Sequence, residues 1–224
     1  GQTMHEIIEA KFRNPEEAIV DRVLLLYLIK KAEEKGRIWG ITKLMKLAFF
    51  AEREMVKDRV KGFNYNFYRW HLGPFTPEIY EDLEYLIENE LVTEREGIET
   101  TNQGKEILRE LEDLLKENKD VLEYIEKLMG KYASKGTGEL MKSAYETEVE
   151  IKPFKIKAKV RDVPIGYDLV TKLGETEARE AFEINDAWLE TLDILLDKRA
   201  YESLKEAMES ARTRPSKRVV ISKL

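Results

Sequence analysis

Apolar residues recur at helical spacing over most of this chain, and the period changes at a few informative places. Asn14-Pro15-Glu16-Glu17 opens the first clear helix, which runs to about Lys35 and stops at Gly36. Its stretch Val23–Ile29 is apolar without interruption, which predicts a helix buried on several sides. A second helix spans Ile41 to Lys57, with Ile41, Leu44, Met45, Ala48 and Met55 on one face. The aromatic run Phe63 to Leu72 looks extended, and Gly73-Pro74 turns the chain into a third helix. There Thr76 is placed to cap the end and Pro77 to occupy the first turn, ahead of Ile79, Tyr80, Leu83, Leu86 and Ile87.

The next segment, ELVTEREGIETTNQGKEIL, predicts strand, turn, strand and a new helix opening near Gly104. Ile107, Leu108, Leu111, Leu114 and Leu115 continue into Val121, Leu122, Ile125 and Leu128, as one long helix or two joined near Asn118. This narrow stripe resembles a coiled-coil seam, so a homodimer and packing within the domain are both open. After Tyr145 the pattern alternates. Phe154, Ile156, Ala158 and Val160 share one face of a predicted strand from Thr147 to Arg161, and Lys155, Lys157, Lys159 and Arg161 the other. Helices are expected around Thr176–Phe182 and Ala200–Ala211. The end, ARTRPSKRVVISKL, has five basic and no acidic residues, and Val219, Val220 and Ile221 suggest a strand.

These elements predict a mainly α (α+β) protein in two parts. Residues 1–146 form a winged-helix-like domain, because a helix is followed at once by a β-hairpin; residues 147–224 form a small α/β extension. Charge complicates a DNA-reading role. The third helix is expected to carry Glu78, Glu81, Asp82, Glu84, Glu88 and Glu90 with no Lys or Arg, and carboxylates repel phosphate. The whole chain has net charge −6 and a pI near 5.3. Charged residues make up 37%, glutamine is scarce and cysteine absent, a bias that fits a thermophile. No apolar run approaches the ~18 residues that span a bilayer, and no secretory leader pattern is visible, so a cytoplasmic protein is expected.

Candidate catalytic chemistry is sparse. There is no phosphate-binding glycine loop, no nucleophile elbow and no Cys–His pair. The two histidines, His5 and His71, have no cysteine to complete a zinc set. Glu150-Ile151-Lys152 matches the ExK element of metal-dependent nucleases, without a convincing upstream aspartate. The expectation is a non-enzyme with no cofactor and no metal, a nuclease being the remote alternative.

Lys43, Leu44, Lys46, Leu47, Phe50 and Ala51, followed by Phe67, Tyr68, Gly73, Pro74, Tyr80 and Leu83, resemble the Panacea domain, also called SocA-like, and the related YwgA-like proteins. GELMKSAYETE is similar to that family's later helix, with Tyr145 about where a His is usual. The resemblance covers roughly residues 18 to 148. It implies a mainly helical, winged-helix-like fold and a protein-binding antitoxin or adaptor. The segment from Leu195 to Ser222 is similar to the C-terminal segments of antitoxins, with a stripe of Leu195, Leu196, Tyr201, Leu204 and Met208.

The expected function is therefore regulation through a protein partner, such as a toxin. Phe67, Trp70, Phe75 and Tyr80 are the candidate anchors, because buried aromatics dominate interfaces. Lys155, Lys157, Lys159 and Arg161 are the candidate charged contact; guarding an exposed sheet edge is the alternative use of such lysines. A DNA-binding regulator is the competing reading, with phosphate contacts from Lys43, Lys46, Arg53, Arg69, Arg95, Arg212, Arg214, Lys217 and Arg218.

Overall fold

The computed structural model describes residues 3, 11–151 and 154–214. Helix α1 (Pro15–Glu33) is the central rod. Asn14 and Glu17 close a reciprocal capping box at its start, and Pro15 fills the first turn. Every residue from Val23 to Ile29 is buried, because α1 packs against α2 (Ile41–Lys57), α3 (Pro77–Glu88) and later helices on nearly all sides.

Between α2 and α3 the chain makes strands β1 (Val60–Lys61), β2 (Phe67–Trp70) and β3 (Gly73–Phe75). Gly73 has φ +104°, a conformation that side chains resist, so it makes the tight turn from β2 to β3. Thr76 caps α3 and Pro77 begins it, as the sequence predicts. The hairpin β4 (Val92–Glu94) and β5 (Ile98–Thr100) follows directly in antiparallel register. At the start of α4 (Asn102–Glu110), a Cβ on Gly104 would lie 2.1 Å from the Leu91 carbonyl oxygen, so only glycine fits.

The helix expected from Ile107 on, as one or as two joined near Asn118, is three: α4, α5 (Glu112–Glu117) and α6 (Lys119–Tyr132). The second break falls at buried Asn118, whose amide donates to the carbonyls of Leu114 and Glu183 and accepts from the Glu183 N–H. Helix α7 (Thr137–Glu146) leads into the C-terminal third.

Two predictions there need correction. The single alternating strand from Thr147 is a hairpin, β6 (Glu148–Ile151) and β7 (Ile156–Lys159), with Lys155 in the turn at φ +54°. Arg161 lies in the single 3-10 turn that follows. The helix expected at Thr176–Phe182 is a turn and a short strand, β9 (Glu180–Ala181). Its backbone is claimed elsewhere: Arg179 and Phe182 donate to the carbonyls of Arg59 and Lys61, so β9 pairs in parallel with β1. Strand β8 (Asp168–Val170) adds to β2, giving the antiparallel order β3-β2-β8. The sequence reading also missed α8 (Asp186–Leu195), capped by Asn185, before α9 (Lys198–Thr213). Among the described residues no helix is long and apolar enough to cross a membrane.

Candidate partner-binding face

The segment from Asn64 to Asn66 is extended backbone running through the interior, so its N–H groups need acceptors. Three carboxylates from three helices supply them. Asp21 of α1 accepts from Asn64 N–H at 2.7 Å, Glu52 of α2 from Tyr65 at 2.7 Å, and Glu78 of α3 from Asn66 at 2.9 Å. Asp21, Glu52 and Asp82 are fully buried. Arg13 neutralises part of this charge. It meets Asp82 in a bidentate pair at 2.6 and 2.7 Å and Asp21 at 3.1 Å, while the Tyr65 hydroxyl donates to Asp82 at 2.7 Å. Alongside, Glu17 receives both Lys61 and Lys172 at 2.6 Å.

Burial and then the neighbouring Asp82 charge push the Asp21 carboxyl well above its ordinary range. Burial and the charge of Asp21 do the same to Glu52, one of whose oxygens is buried without a hydrogen-bond partner among the described residues. Burial opposes ionisation of Glu17 too, but hydrogen bonds from Lys172 and Lys61 outweigh it and hold this carboxyl below its usual range. The network clamps α1, α2, α3 and β8's flank to one extended segment. Of its members the sequence reading names Glu17 only as part of a helix start and Glu78 and Asp82 only as part of an acidic helix. The available signal was a lone acid inside an apolar run: Asp21 between Val20 and Val23, Glu52 after Phe49-Phe50-Ala51.

On the far side of the same segment, aromatic side chains turn outward. Tyr68 and Trp70 lie two apart on β2, at 6.0 Å between ring centroids. Tyr68 stands opposite Phe75 in the sheet at 5.3 Å, and Phe75 meets Tyr80 of α3 at 5.7 Å. Trp70 is 43% exposed and Tyr80 47%, and Leu72 and Tyr167 are exposed as well. Glu81, Glu84 and Glu88 point to solvent from the same helix as Tyr80. The structure thus gathers Trp70, Phe75 and Tyr80 into one face. Phe67 is the exception: it is 0% exposed, edge-on to Phe49, and belongs to the core. The acidic helix is also not anionic on all sides, since Asp82 and Glu78 face the internal network.

The expected cationic contacts are mostly engaged within the protein. Lys43 is buried and donates to the carbonyls of Arg37 and Ala133, and Lys46 is 1% exposed. Burial lowers the pKa of both. Arg53 donates twice to the Glu148 carbonyl, and Arg69 lies over the Tyr145 ring with its Nε buried. Lys43 and Lys46 therefore cannot line a phosphate-binding surface as arranged, whereas Arg53 and Arg69 are half-buried. Arg95 sits at the exposed tip of the β4–β5 hairpin, and Arg212 and Arg214 are exposed at the end of α9. Lys217, Arg218 and the run Val219–Ile221 lie outside the described residues.

The lysine strand has its own acidic neighbours. Lys157 and Lys159 stand opposite Glu150 and Glu148 across the β6–β7 hairpin. Lys159 pairs with Glu146 at 2.8 Å, and Arg161 pairs with that same carboxylate. Lys155, in the turn, leaves the row altogether. Glu150 of the ExK triplet is an exposed hairpin residue, and Lys152 lies outside the described residues. Among the described residues there is no group of three or more His, Asp or Glu arranged to hold a metal ion.

Residues 44–150 match the family model described as antitoxin SocA-like, Panacea domain. Over these residues, just under half of the chain, the protein is similar to the Panacea domain. Its matched segment starts within α2 and ends in β6, so it contains the whole β2–β3 aromatic face, α3, the hairpin and α4 to α7. The resemblance expected from about residue 18 is trimmed at its start: α1, with Asp21, precedes the match. Strand β8 lies beyond the matched segment yet pairs with β2 inside it, the first turn of α9 reaches back to Glu90 and Glu106, and α8 packs on α1 and α9. No curated protein and no solved structure matches the chain.

Proposed function

We propose that this protein is a non-catalytic, cytoplasmic regulator of antitoxin or adaptor type that works by binding another protein. The aromatic face of Trp70, Phe75 and Tyr80 is the observation that carries this reading. Large aromatic side chains left in water at a sheet surface are costly to the free protein and valuable at an interface. The rim identifies the partner's chemistry. Glu81 and Glu84 border the face from α3, so the complementary surface is apolar at its centre and cationic at its edge. A toxin with a basic surface fits that description. On this reading the winged-helix-like arrangement of α3 and its hairpin serves protein contact, and its acidic outer face repels nucleic acid.

Co-expression with the product of the neighbouring reading frame, followed by affinity capture, tests the proposal. Wild-type protein should retain that product at one-to-one stoichiometry, and W70A/Y80A should release it while keeping its thermal midpoint. Retention by both proteins would discard the aromatic face; retention by neither would discard the neighbour as the partner. In a gel-shift series no salt-sensitive retardation of duplex DNA is expected, and steep salt-dependent binding would revive the DNA reading.

A further inference from the structure

Arg13 precedes the cap of α1, yet its side chain reaches inward and is only 7% exposed. Four carboxylates close around its guanidinium. Asp82 takes both ends of the fork at 2.6 and 2.7 Å, Asp21 lies at 3.1 Å, Glu78 at 3.4 Å and Glu81 at 3.5 Å. The guanidinium carbon stands 5.6 Å from the centroid of the Tyr65 ring. Such an array fits a planar cation with several donors. An ammonium is a point charge and lacks the fork that matches both oxygens of one carboxylate.

The walls of this pocket are held by the body of the protein as well as by Arg13. Asn64 fixes Asp21 through its N–H and its side-chain amide, and Tyr65 and Arg22 hold Asp82. The Asn66 N–H and the Thr76 hydroxyl hold Glu78. The stretch that delivers Arg13, residues 11–13, is fastened more lightly. Lys11 and Phe12 are exposed, Phe12 by 61%, and besides the guanidinium the Asn66 amide holds the Lys11 carbonyl at 2.8 Å. Glu81, with a side chain 68% exposed, marks the open side of the pocket, and it follows Tyr80 of the aromatic face on α3.

We propose that the Asp21–Glu78–Asp82 pocket is a receptor for an arginine side chain of a partner polypeptide, and that Arg13 fills it in the free protein as an exchangeable internal ligand. The inference rests on the protein-binding reading above for the source of the arginine, and it names the cation that the acidic rim receives. Withdrawing Arg13 without a replacement leaves buried carboxylates facing one another with Arg22 as their near cation, so the pocket stays closed until a second guanidinium enters. Self-occupancy lowers the apparent affinity for a foreign arginine by the fraction of the time that the pocket stands open. A partner is therefore admitted only when its contacts elsewhere, at the aromatic face, offset that factor.

Removing the internal ligand should thus improve binding. The probes are acetyl-Gly-Arg-Gly-amide, its lysine counterpart, free arginine, ethylguanidinium and ethylammonium, titrated into the full chain without any partner. R13A should bind the arginine tripeptide more than about tenfold more tightly than wild type does. About 20 mM ethylguanidinium should raise the thermal midpoint of R13A by several degrees and leave wild type unchanged. The lysine tripeptide and ethylammonium should do neither, and R13A/D82N should lose both effects. If R13A does not fold, R13K, which keeps a cation without the fork, takes its place and should show the same gains at smaller size. No gain from the guanidinium probes, equal gain from the ammonium probes, or failure of both variants to fold even with ethylguanidinium overturns the proposal. Free arginine binding more tightly than the tripeptide overturns the polypeptide source, since its own carboxylate meets the acidic rim. R13A/W70A/Y80A should bind the tripeptide as R13A does. A pocket that takes the probe while no partner is captured discards the protein-binding reading alone, and capture of a partner by a protein whose pocket refuses the probe discards this inference alone.

Discussion

Two regions built from one stretch of sequence invert the usual distribution of polar and apolar groups. Asn64, Tyr65 and Asn66 lie among buried carboxylates, whereas a few residues later Trp70 and Tyr80 present rings to solvent beside half-buried Tyr68 and Phe75. The inner region has nearly all its hydrogen bonds satisfied within the protein; the outer one has apolar surface that is exposed among the described residues. Buried ionic groups are expensive to desolvate and gain their stability only from complete pairing. Exposed aromatics cost less and remain available for association. The first arrangement holds the fold in one geometry, and the second is the surface we propose for recognition.

Breaking the inner region should have the largest effect. Arg13→Ala leaves Asp82 and Asp21 buried with their main cation gone, and should destabilise the protein by about 4 kcal/mol in chemical denaturation. A loss below about 1 kcal/mol would mean that water or Arg22 compensates. Glu17→Gln, which strips the shared partner from Lys61 and Lys172, should cost about 3 kcal/mol.

Glu52 gives a pH-dependent test. Its folded pKa is raised by burial above the ordinary value of about 4.3, so its contribution is full below that pH and is lost as pH rises through the folded value. Glu17 has the opposite sign: its folded pKa is lowered, and its contribution is lost on acidification. Glu52→Gln keeps an acceptor for the Tyr65 N–H and removes the titration. Thermal midpoints measured from about pH 5 to about pH 9 should therefore shift in favour of Glu52→Gln as pH increases. Parallel curves for the two proteins would show that Glu52 does not titrate there.

Smaller effects are expected at the surface. Lys157→Glu with Lys159→Glu sets like charges opposite Glu150 and Glu148, and should cost about 1 kcal/mol through the hairpin. Trp70→Ala with Tyr80→Ala should change stability by no more than about 0.5 kcal/mol, as exposed positions generally do, while abolishing partner capture. A large loss of stability in that variant would make the aromatic face part of the core, like Phe67.

Much of the secondary structure was legible because it depends on neighbours in sequence. The Asn14 and Thr76 caps, Pro77 at a helix start, the Gly73 turn and the β4–β5 hairpin all follow from local rules, and all are present. The antitoxin SocA-like resemblance was carried by the same segment, from the Lys43–Ala51 helix to the acidic helix. Segments whose conformation depends on distant partners were misread. The turn at Thr176 became β9 because β1 offers it carbonyl groups, and the lysine strand folded into a hairpin with acids opposite its cations.

The candidate site was legible in part for the same reason. Aromatic content marked the stretch around Trp70, but an alternating aromatic strand does not reveal which face is covered, so Phe67 and Trp70 looked alike. Tertiary packing decided that by laying Phe49 over one face and leaving the other open. It likewise decided which charges are internal. Lys43, Asp82 and Glu84 are indistinguishable as letters, and the energy of a charge depends on the dielectric and the partners that the fold places around it. Sequence fixed the helices and their caps through short-range sterics and hydrogen bonding. Only the assembled structure, through long-range burial, determined which aromatic rings are exposed and which carboxylates lie inside.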